Sequence, residues 1–262
     1  MNKSNVTVCV AVSLLLTSIC LCDVQSQYEQ AKNYLKQGQT DQAIALFDQI
    51  IEENPETDYA RGSVWRVIEY YTSAYHSDPL EFAVEQFVKD HINYPYMAEL
   101  LDQIAGKLQY ENNFEAAKVL FDQIVKWYPE SDIYEKVLLD VIKVDVLSCI
   151  DANDPNEAQR LCDQMFVEYP DNLYMPQALR NVVKTFEKNG FDGYAQRYAQ
   201  LLLDNYPDSV DAPTIRGAGY ESAGDYQAAK SVHISIMQQY PDTINSKKAS
   251  QALAPIVDIT DF

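Results

Sequence analysis

The stretch from Val210 to Thr243 reads VDAPTIRGAGYESAGDYQAAKSVHISIMQQYPDT and contains the most regular pattern in the chain of 262 residues. Apolar residues recur at helical spacing on both sides of Gly224. Glycine tolerates the left-handed backbone that ends one helix and turns the chain into the next. The stretch is therefore predicted to be one helical hairpin, and Pro241 is predicted to stop its second helix.

Weaker copies of this hairpin fill the rest of the chain. Each copy ends at a proline, namely Pro55, Pro95, Pro129, Pro170, Pro207 and Pro241, and an alanine stands twelve residues before each one: Ala43, Ala83, Ala117, Ala158, Ala195 and Ala229. A small residue at a fixed place in every copy predicts a point where two helices cross closely. Turns between the two helices are predicted near Gly38, Asn112, Asn153, Gly190 and Gly224, since Gly and Asn accept a left-handed backbone most readily.

The pattern of alanine and proline, with small and aromatic residues such as Gly217 and Tyr220 in the first helix, resembles the tetratricopeptide repeat. The Y-P-[DE]-[ST] endings further resemble the bacterial envelope subgroup of this family, the BamD-like and Tol-Pal-associated scaffolds. The resemblance implies an all-α solenoid of six helical hairpins plus a C-terminal capping helix, wound as a right-handed superhelix.

The hairpin register gives a domain plan for the whole chain. The hairpins are predicted at residues 24–57, 64–97, 98–131, 139–172, 176–209 and 210–243, followed by a cap at 246–253 and an extended tail at 254–262. Extra residues at Asp58–Ser63, Asp132–Leu138 and Leu173–Met175 are predicted to lengthen the helices that follow them. The solenoid as a whole is predicted to span 27–253.

Residues 1–26 are predicted to be a signal peptide. Lys3 precedes an uncharged apolar run from Val6 to Cys22, and Val24 and Ser26 supply small residues for cleavage after Ser26. Two alternatives remain open: an uncleaved membrane anchor and a lipidated N-terminus at one of the cysteines. The predicted location is the periplasm or another part of the bacterial cell envelope.

Charge limits the classes of partner. The chain has 39 acidic and 20 basic residues, a net charge of −19, which disfavours nucleic acid and anionic membranes because both carry negative charge. Membrane contact is predicted only through an uncleaved or lipidated N-terminus.

No cofactor, metal site or catalytic residue is predicted. The sequence has no HExxH, P-loop or GxSxG motif, and its three histidines lack metal-ligand spacing. Cys149 and Cys162 fall at core positions of the fourth hairpin, with an axial offset of about 9 Å that is too long for a disulfide. They are predicted to be two buried free thiols. The protein is accordingly predicted not to be an enzyme.

Two sets of residues are predicted to line the concave groove that the resemblance implies. Four bases form the first set, Arg180, Lys184 and Lys188 on one helical face with Lys143 beside them, and could pair with a carboxylate or phosphate of a partner. Four aromatic residues form the second set: Tyr28, Trp65, Tyr75 and Tyr110. The simpler alternatives are a solvated basic face with intrahelical ion pairs and ordinary core packing of the aromatic rings.

The predicted function is a non-enzymatic scaffold of the cell envelope that holds a protein or peptide partner in its groove. An amphipathic helix or an extended peptide is the expected form of that partner. Two other classes remain open: a binding module for an anionic glycan or cell-wall fragment, and an enzyme with an unrecognised site.

Overall fold

The computed structural model describes residues 24–209, 211–241 and 244–260, which contain helices and no β-strand. The thirteen helices of these ranges are α1 (24–36), α2 (Thr40–Glu53), α3 (Asp58–Ala74), α4 (Ser77–Asp90), α5 (Met97–Tyr110), α6 (Phe114–Trp127), α7 (Tyr134–Asp151), α8 (Pro155–Glu168), α9 (Met175–Lys188), α10 (Asp192–Asn205), α11 (Ala212–Ser222), α12 (Tyr226–Gln239) and α13 (Ile244–Thr260). The predicted fold class, an all-α solenoid of helical hairpins, is confirmed.

The chain divides into two compact units at Val137 and Leu138, within α7. In the N-terminal unit, α3 packs against α5 and α4 against α6, so first helices contact first helices and second helices contact second helices. In the C-terminal unit, α9, α10, α11, α12 and α13 pack in sequence, each against the next. Hairpins of the same unit thus bury apolar stripes against one another, as repeat architectures require.

The five predicted turns have the predicted backbone. Gly38, Asn112, Asn153, Gly190 and Gly224 all have positive φ, between 58° and 76°. A left-handed residue after the last helical residue lets the chain reverse while the final carbonyls still accept hydrogen bonds. For example, Asp225 N donates to Tyr220 O across the Gly224 turn at 2.9 Å.

The recurring alanines are core residues in five of the six hairpins. Their exposed fractions are at most 2%, for Ala43, Ala117, Ala158, Ala195 and Ala229. Ala83 of the second hairpin differs, since it is only half-buried. In α4 the buried face is instead formed by Leu80, Val84, Phe87 and Val88, which share one side of the helix at spacings of three and four.

Two of the three predicted helix extensions are present. The extra residues lengthen α3 to 17 residues and α7 to 18. The third prediction is wrong, because α9 has 14 residues and Leu173 stays in the preceding turn with its side chain 87% exposed. The Asn172 Oδ1 accepts a hydrogen bond from Tyr174 N at 2.8 Å, which holds this segment in a local turn, and Pro176 then fixes the first turn of α9.

The prediction of an extended tail from residue 254 is also wrong. Helix α13 continues to Thr260 and includes Pro255 in its interior. Ala249 and Ile256, seven residues apart on one helical face, are both buried. This burial, together with packing of α13 on α12, offsets the helix hydrogen bond that proline cannot donate.

Most of the predicted signal peptide lies outside the described residues. Only Val24 to Ser26 are described, and they form the start of α1, where Val24 is buried. Within the described ranges, no helix has the length and apolar character needed to cross a membrane. Cleavage after Ser26, anchoring and lipidation therefore stay predictions.

Candidate partner-binding site

Arg180, one of the four bases predicted to line the groove, makes an ion pair within the C-terminal unit. Its Nη1 lies 2.7 Å from Oδ1 of Asp211, and the two side chains are 15% and 6% exposed. Asp211 is the N-cap residue of α11, so the ion pair connects α9 to the beginning of the next hairpin. The guanidinium charge is already compensated, and Arg180 has a structural role.

Lys143 is compensated in a similar way. Its ammonium group pairs with the carboxylate of Asp140, one turn earlier in α7, and both side chains are largely buried. Neither Lys143 nor Arg180 is therefore available to a partner without loss of an internal ion pair. Sequence reasoning found the helical face that carries these bases but missed the carboxylates that pair with them.

Lys184, one turn after Arg180, lies in a different electrostatic environment. Partial burial lowers the pKa of Lys184, and the positive charges of Arg180 and Lys248 lower it further. The carboxylates of Asp211 and Glu187 act in the opposite direction but do not outweigh these effects. Lys184 is exposed, so solvent screens these effects, and a carboxylate from a bound partner would stabilise its ammonium form.

Lys184 borders a cavity of about 730 Å³ between α9, α10 and α11. Small side chains create this space, because α11 contributes Ala218, Gly219 and Ser222 where a larger residue would fill the gap. Val183 and Ile215 give the cavity an apolar part. A cavity that combines apolar walls with a few polar groups is typical of ligand sites.

The rim of the cavity also carries acidic groups. Glu187, Asp192 and Glu221 all line it, and the Glu221 carboxylate lies 2.5 Å from Nε2 of the buried His233. These carboxylates disfavour a ligand with dense negative charge. Lys188, the last residue of α9, is exposed and does not line the cavity. Of the four predicted bases, Lys184 is thus the one that lines this cavity.

The predicted aromatic set divides into two parts of the N-terminal unit. Tyr28 is half-buried, with its ring centroid 5.8 Å from that of Phe47 and 5.6 Å from that of Tyr59. A Cβ on Gly62 would lie 2.8 Å from the Tyr28 hydroxyl, so this tyrosine lies close against the first half of α3. Trp65 is half-buried in the same part of α3.

Tyr75 and Tyr110 lie at the other ends of their helices. Tyr75 follows α3, about 20 Å along the helix axis from Gly62 at about 1.5 Å per residue, and its ring lies 6.2 Å from that of Tyr70. Tyr110 ends α5 and is 89% exposed. The four aromatic residues do not form one patch. Residue spacing alone already implied this separation, because Tyr75 and Tyr110 fall at the C-terminal ends of α3 and α5.

The two described cysteines are unbridged. Cys162 is buried and Cys149 is half-buried, so the prediction of two buried thiols is wrong for Cys149. Burial raises the pKa of the Cys162 thiol to about 12. Across the described ranges, no group of three or more His, Cys, Asp or Glu side chains has a geometry that could hold a metal ion.

Comparison with known proteins matches one hairpin to a family. Residues 25–57, which cover most of α1 and all of α2, match the family described as "Tetratricopeptide repeat". No curated protein matches the chain.

Among solved structures the chain is similar to pilF of Pseudomonas aeruginosa, with 14% identity, coverage of 87% of this chain and 97% of that one, and a TM-score of 0.35. It is similar to PilW, described as a widely conserved type IV pilus biogenesis factor, with 15% identity, 86% and 97% coverage and a TM-score of 0.40. It is also similar to the TPR domain of P58(IPK), with 16% identity, 91% and 66% coverage and a TM-score of 0.32.

Proposed function

We infer that the protein is a non-enzymatic scaffold that captures a peptide segment of a partner protein, and that Lys184 pairs with a carboxylate of that segment. The observation that carries this proposal is the undercompensated ammonium of Lys184 at the edge of the cavity of about 730 Å³. Arg180 and Lys143 are left out of the binding role because each already has an internal carboxylate partner.

The chemistry of the rim favours a peptide over an anionic glycan. Glu187 and Asp192 would repel a polymer that carries many negative charges. A peptide offers a single carboxylate for Lys184 and backbone amide donors for the acidic groups. Repeat solenoids also commonly present extended binding surfaces built from successive helices.

The proposed location is the bacterial cell envelope. The apolar run near the N-terminus and the Y-P-[DE]-[ST] endings support this part of the proposal. Sequencing of the mature N-terminus tests it, since cleavage after Ser26 predicts Gln27 as the first residue. A mature protein that begins at Met1 would contradict cleavage.

Site-specific photo-crosslinking tests the binding role in cells. A photoreactive amino acid at Gln196 of α10 lies on the cavity rim, whereas the same group at the exposed Gln200, one turn later, does not line the cavity. We expect a protein adduct from position 196 and none from position 200. The crosslinked segment, identified by mass spectrometry, is expected to contain an exposed Asp, Glu or C-terminal carboxylate.

Charge reversal provides the control. Lys184→Glu is expected to abolish the adduct from position 196, because it places a carboxylate opposite the partner's carboxylate. Lys247→Glu makes the same charge change on the exposed face of α13 and should leave the adduct intact. An adduct that Lys184→Glu does not change, or one to cell-wall material alone, would contradict the proposal.

A further inference from the structure

Three tyrosine rings, the tyrosine triad, lie together at the C-terminal end of α3 in the N-terminal unit. Tyr70 and Tyr71 lie near the end of the helix, and Tyr75 is its C-cap residue. The ring centroids are 5.9 Å apart for Tyr70 and Tyr71, 6.2 Å for Tyr70 and Tyr75, and 6.0 Å for Tyr71 and Tyr75. Tyr75 is 37% exposed and the other two are half-buried. The triad is thus one aromatic cluster that solvent reaches.

The surroundings of the triad carry negative charge. Burial raises the pKa of Tyr71 to about 12, and the carboxylates of Asp48 and Asp90 contribute to this shift. The neighbouring tyrosine, partial burial and the Asp41 carboxylate raise the pKa of Tyr75. Asp48 pairs with the imidazole of the C-cap residue of α4 at 3.0 Å. Asp41 and Asp90 are exposed, and neither forms an ion pair with another described residue, so their charges are not compensated there.

The end of α3 adds a further attraction for a cation. The last carbonyl groups of a helix carry a partial negative charge, which favours positive groups near them. The last turn of α3 has no basic residue. The next three helices of the unit, by contrast, each have a lysine in the last turn, namely Lys89 in α4, Lys107 in α5 and Lys126 in α6. A cation at the triad would therefore have to come from outside this helix.

Other aromatic rings of the same unit already have a cation. The distance from the cationic group to the ring centroid is 5.3 Å for Lys32 and Tyr28, 3.9 Å for Arg61 and Tyr96, and 5.4 Å for Lys89 and Trp127. In the part of the chain that the structure describes, no lysine or arginine lies over a ring of the triad. The triad thus combines ring faces, negative charge and a helix C-terminus without an internal cation.

We propose that the tyrosine triad binds an organic cation, an alkylammonium or guanidinium group. A ring attracts a cation that lies within about 6 Å of its centroid, and centroid separations of 5.9–6.2 Å let one cation reach more than one ring. A neutral sugar could use the same ring faces but would gain nothing from the carboxylates or the helix end. Two sources supply this chemistry, a Lys or Arg side chain of a partner protein and a free quaternary amine. The triad belongs to a different unit from Lys184, and the proposal does not depend on the function proposed above.

The test is an NMR titration of the full chain with choline at about pH 8, where histidine is ordinarily neutral. The comparison ligand is the neutral isostere of choline, in which a tert-butyl group replaces the trimethylammonium group. We expect choline to bind and the isostere not to bind. Tyr75→Leu, which removes a ring, is expected to weaken choline about 2- to 30-fold, the range for one cation–π contact. Tyr75→Phe keeps the ring and should retain binding. Tyr110→Leu, the matched control at an exposed tyrosine outside the triad, should not change the Kd.

Further variants and ligands separate the proposal from its alternatives. Asp41→Asn leaves all three rings in place and should also weaken choline, so the test stays valid if Tyr75→Leu does not fold. Tighter binding of N-acetyl-lysine amide or N-acetyl-arginine amide than of choline would assign the site to a partner's side chain, and the reverse order to a free amine. Lys184→Glu should leave the Kd unchanged, so failure here can be told apart from failure of the proposed function. No saturable binding of any of these cations, equal binding of the neutral isostere, or unchanged binding to folded Tyr75→Leu would each overturn the proposal.

Discussion

Replacement of Asp211 by asparagine tests the assignment of Arg180 to the architecture. The variant keeps the size of the side chain, which makes no capping hydrogen bond to α11, and it removes the charge opposite a guanidinium that is 15% exposed. Loss of one partner of a buried ion pair typically costs about 2–5 kcal/mol, because the remaining charge stays buried without compensation. The buried Nε of Arg180 already lacks a partner among the described residues, so little hydrogen bonding remains to offset that loss.

The assay is urea unfolding, combined with hydrogen exchange of the amides of α9 and α11. We expect the free energy of unfolding to fall by about 2–5 kcal/mol and exchange to accelerate in both helices. The double variant Arg180→Met/Asp211→Asn should recover much of this loss, since it removes both charges and keeps an apolar side chain of similar length. Lys188→Met, at an exposed position, should change stability by no more than about 0.5 kcal/mol. A cost below about 0.5 kcal/mol for Asp211→Asn would refute the structural role and return Arg180 to the list of candidate binding residues.

Three further predictions concern the packing at Gly217, the reactivity of the two described cysteines and the pH dependence of stability. A Cβ at Gly217 would lie 2.9 Å from Cε1 of the buried His233, so Gly217→Ala should lower the free energy of unfolding by about 1–3 kcal/mol. A Cβ at Gly219 in the same helix meets no atom within 4 Å, so Gly219→Ala should raise the free energy of unfolding by up to about 1 kcal/mol. Differential alkylation at pH 8 should label Cys149 before Cys162, because burial raises the Cys162 pKa from 9.0 to about 12 and limits access; equal rates in the folded protein would contradict this. Above pH 9 the unfolded state releases the Cys162 proton first, so this thiol's contribution to stability should decline as pH rises toward 12.

Local signals in the sequence were enough to predict the hairpins. A turn residue acts through its own backbone, so Gly38 and Asn112 could be assigned from their type and their place between two apolar stripes. The buried alanines followed from spacing alone, except Ala83, where a different face of α4 is buried. The prediction of an extended tail was wrong because the alternation of apolar and polar residues in so short a segment did not show that Ile256 would be buried.

The candidate site was less predictable because it depends on contacts between distant residues. The sequence placed Arg180 and Lys184 one turn apart on one face, which the structure retains. It gave no signal that Asp211, 31 residues later, would neutralise Arg180 and leave Lys184 exposed to repulsion.

A charge-swap cycle between Lys184 and the captured peptide tests whether this lysine pairs with a carboxylate of the partner. The peptide identified by crosslinking is titrated, in its native form and with its carboxylate residue replaced by lysine, against the native chain and against Lys184→Glu. If it does, each single change weakens binding and the swapped pair regains it, with a coupling free energy of about 1 kcal/mol or more. Additive effects, with no recovery in the swapped pair, would show that Lys184 does not contact the partner's carboxylate.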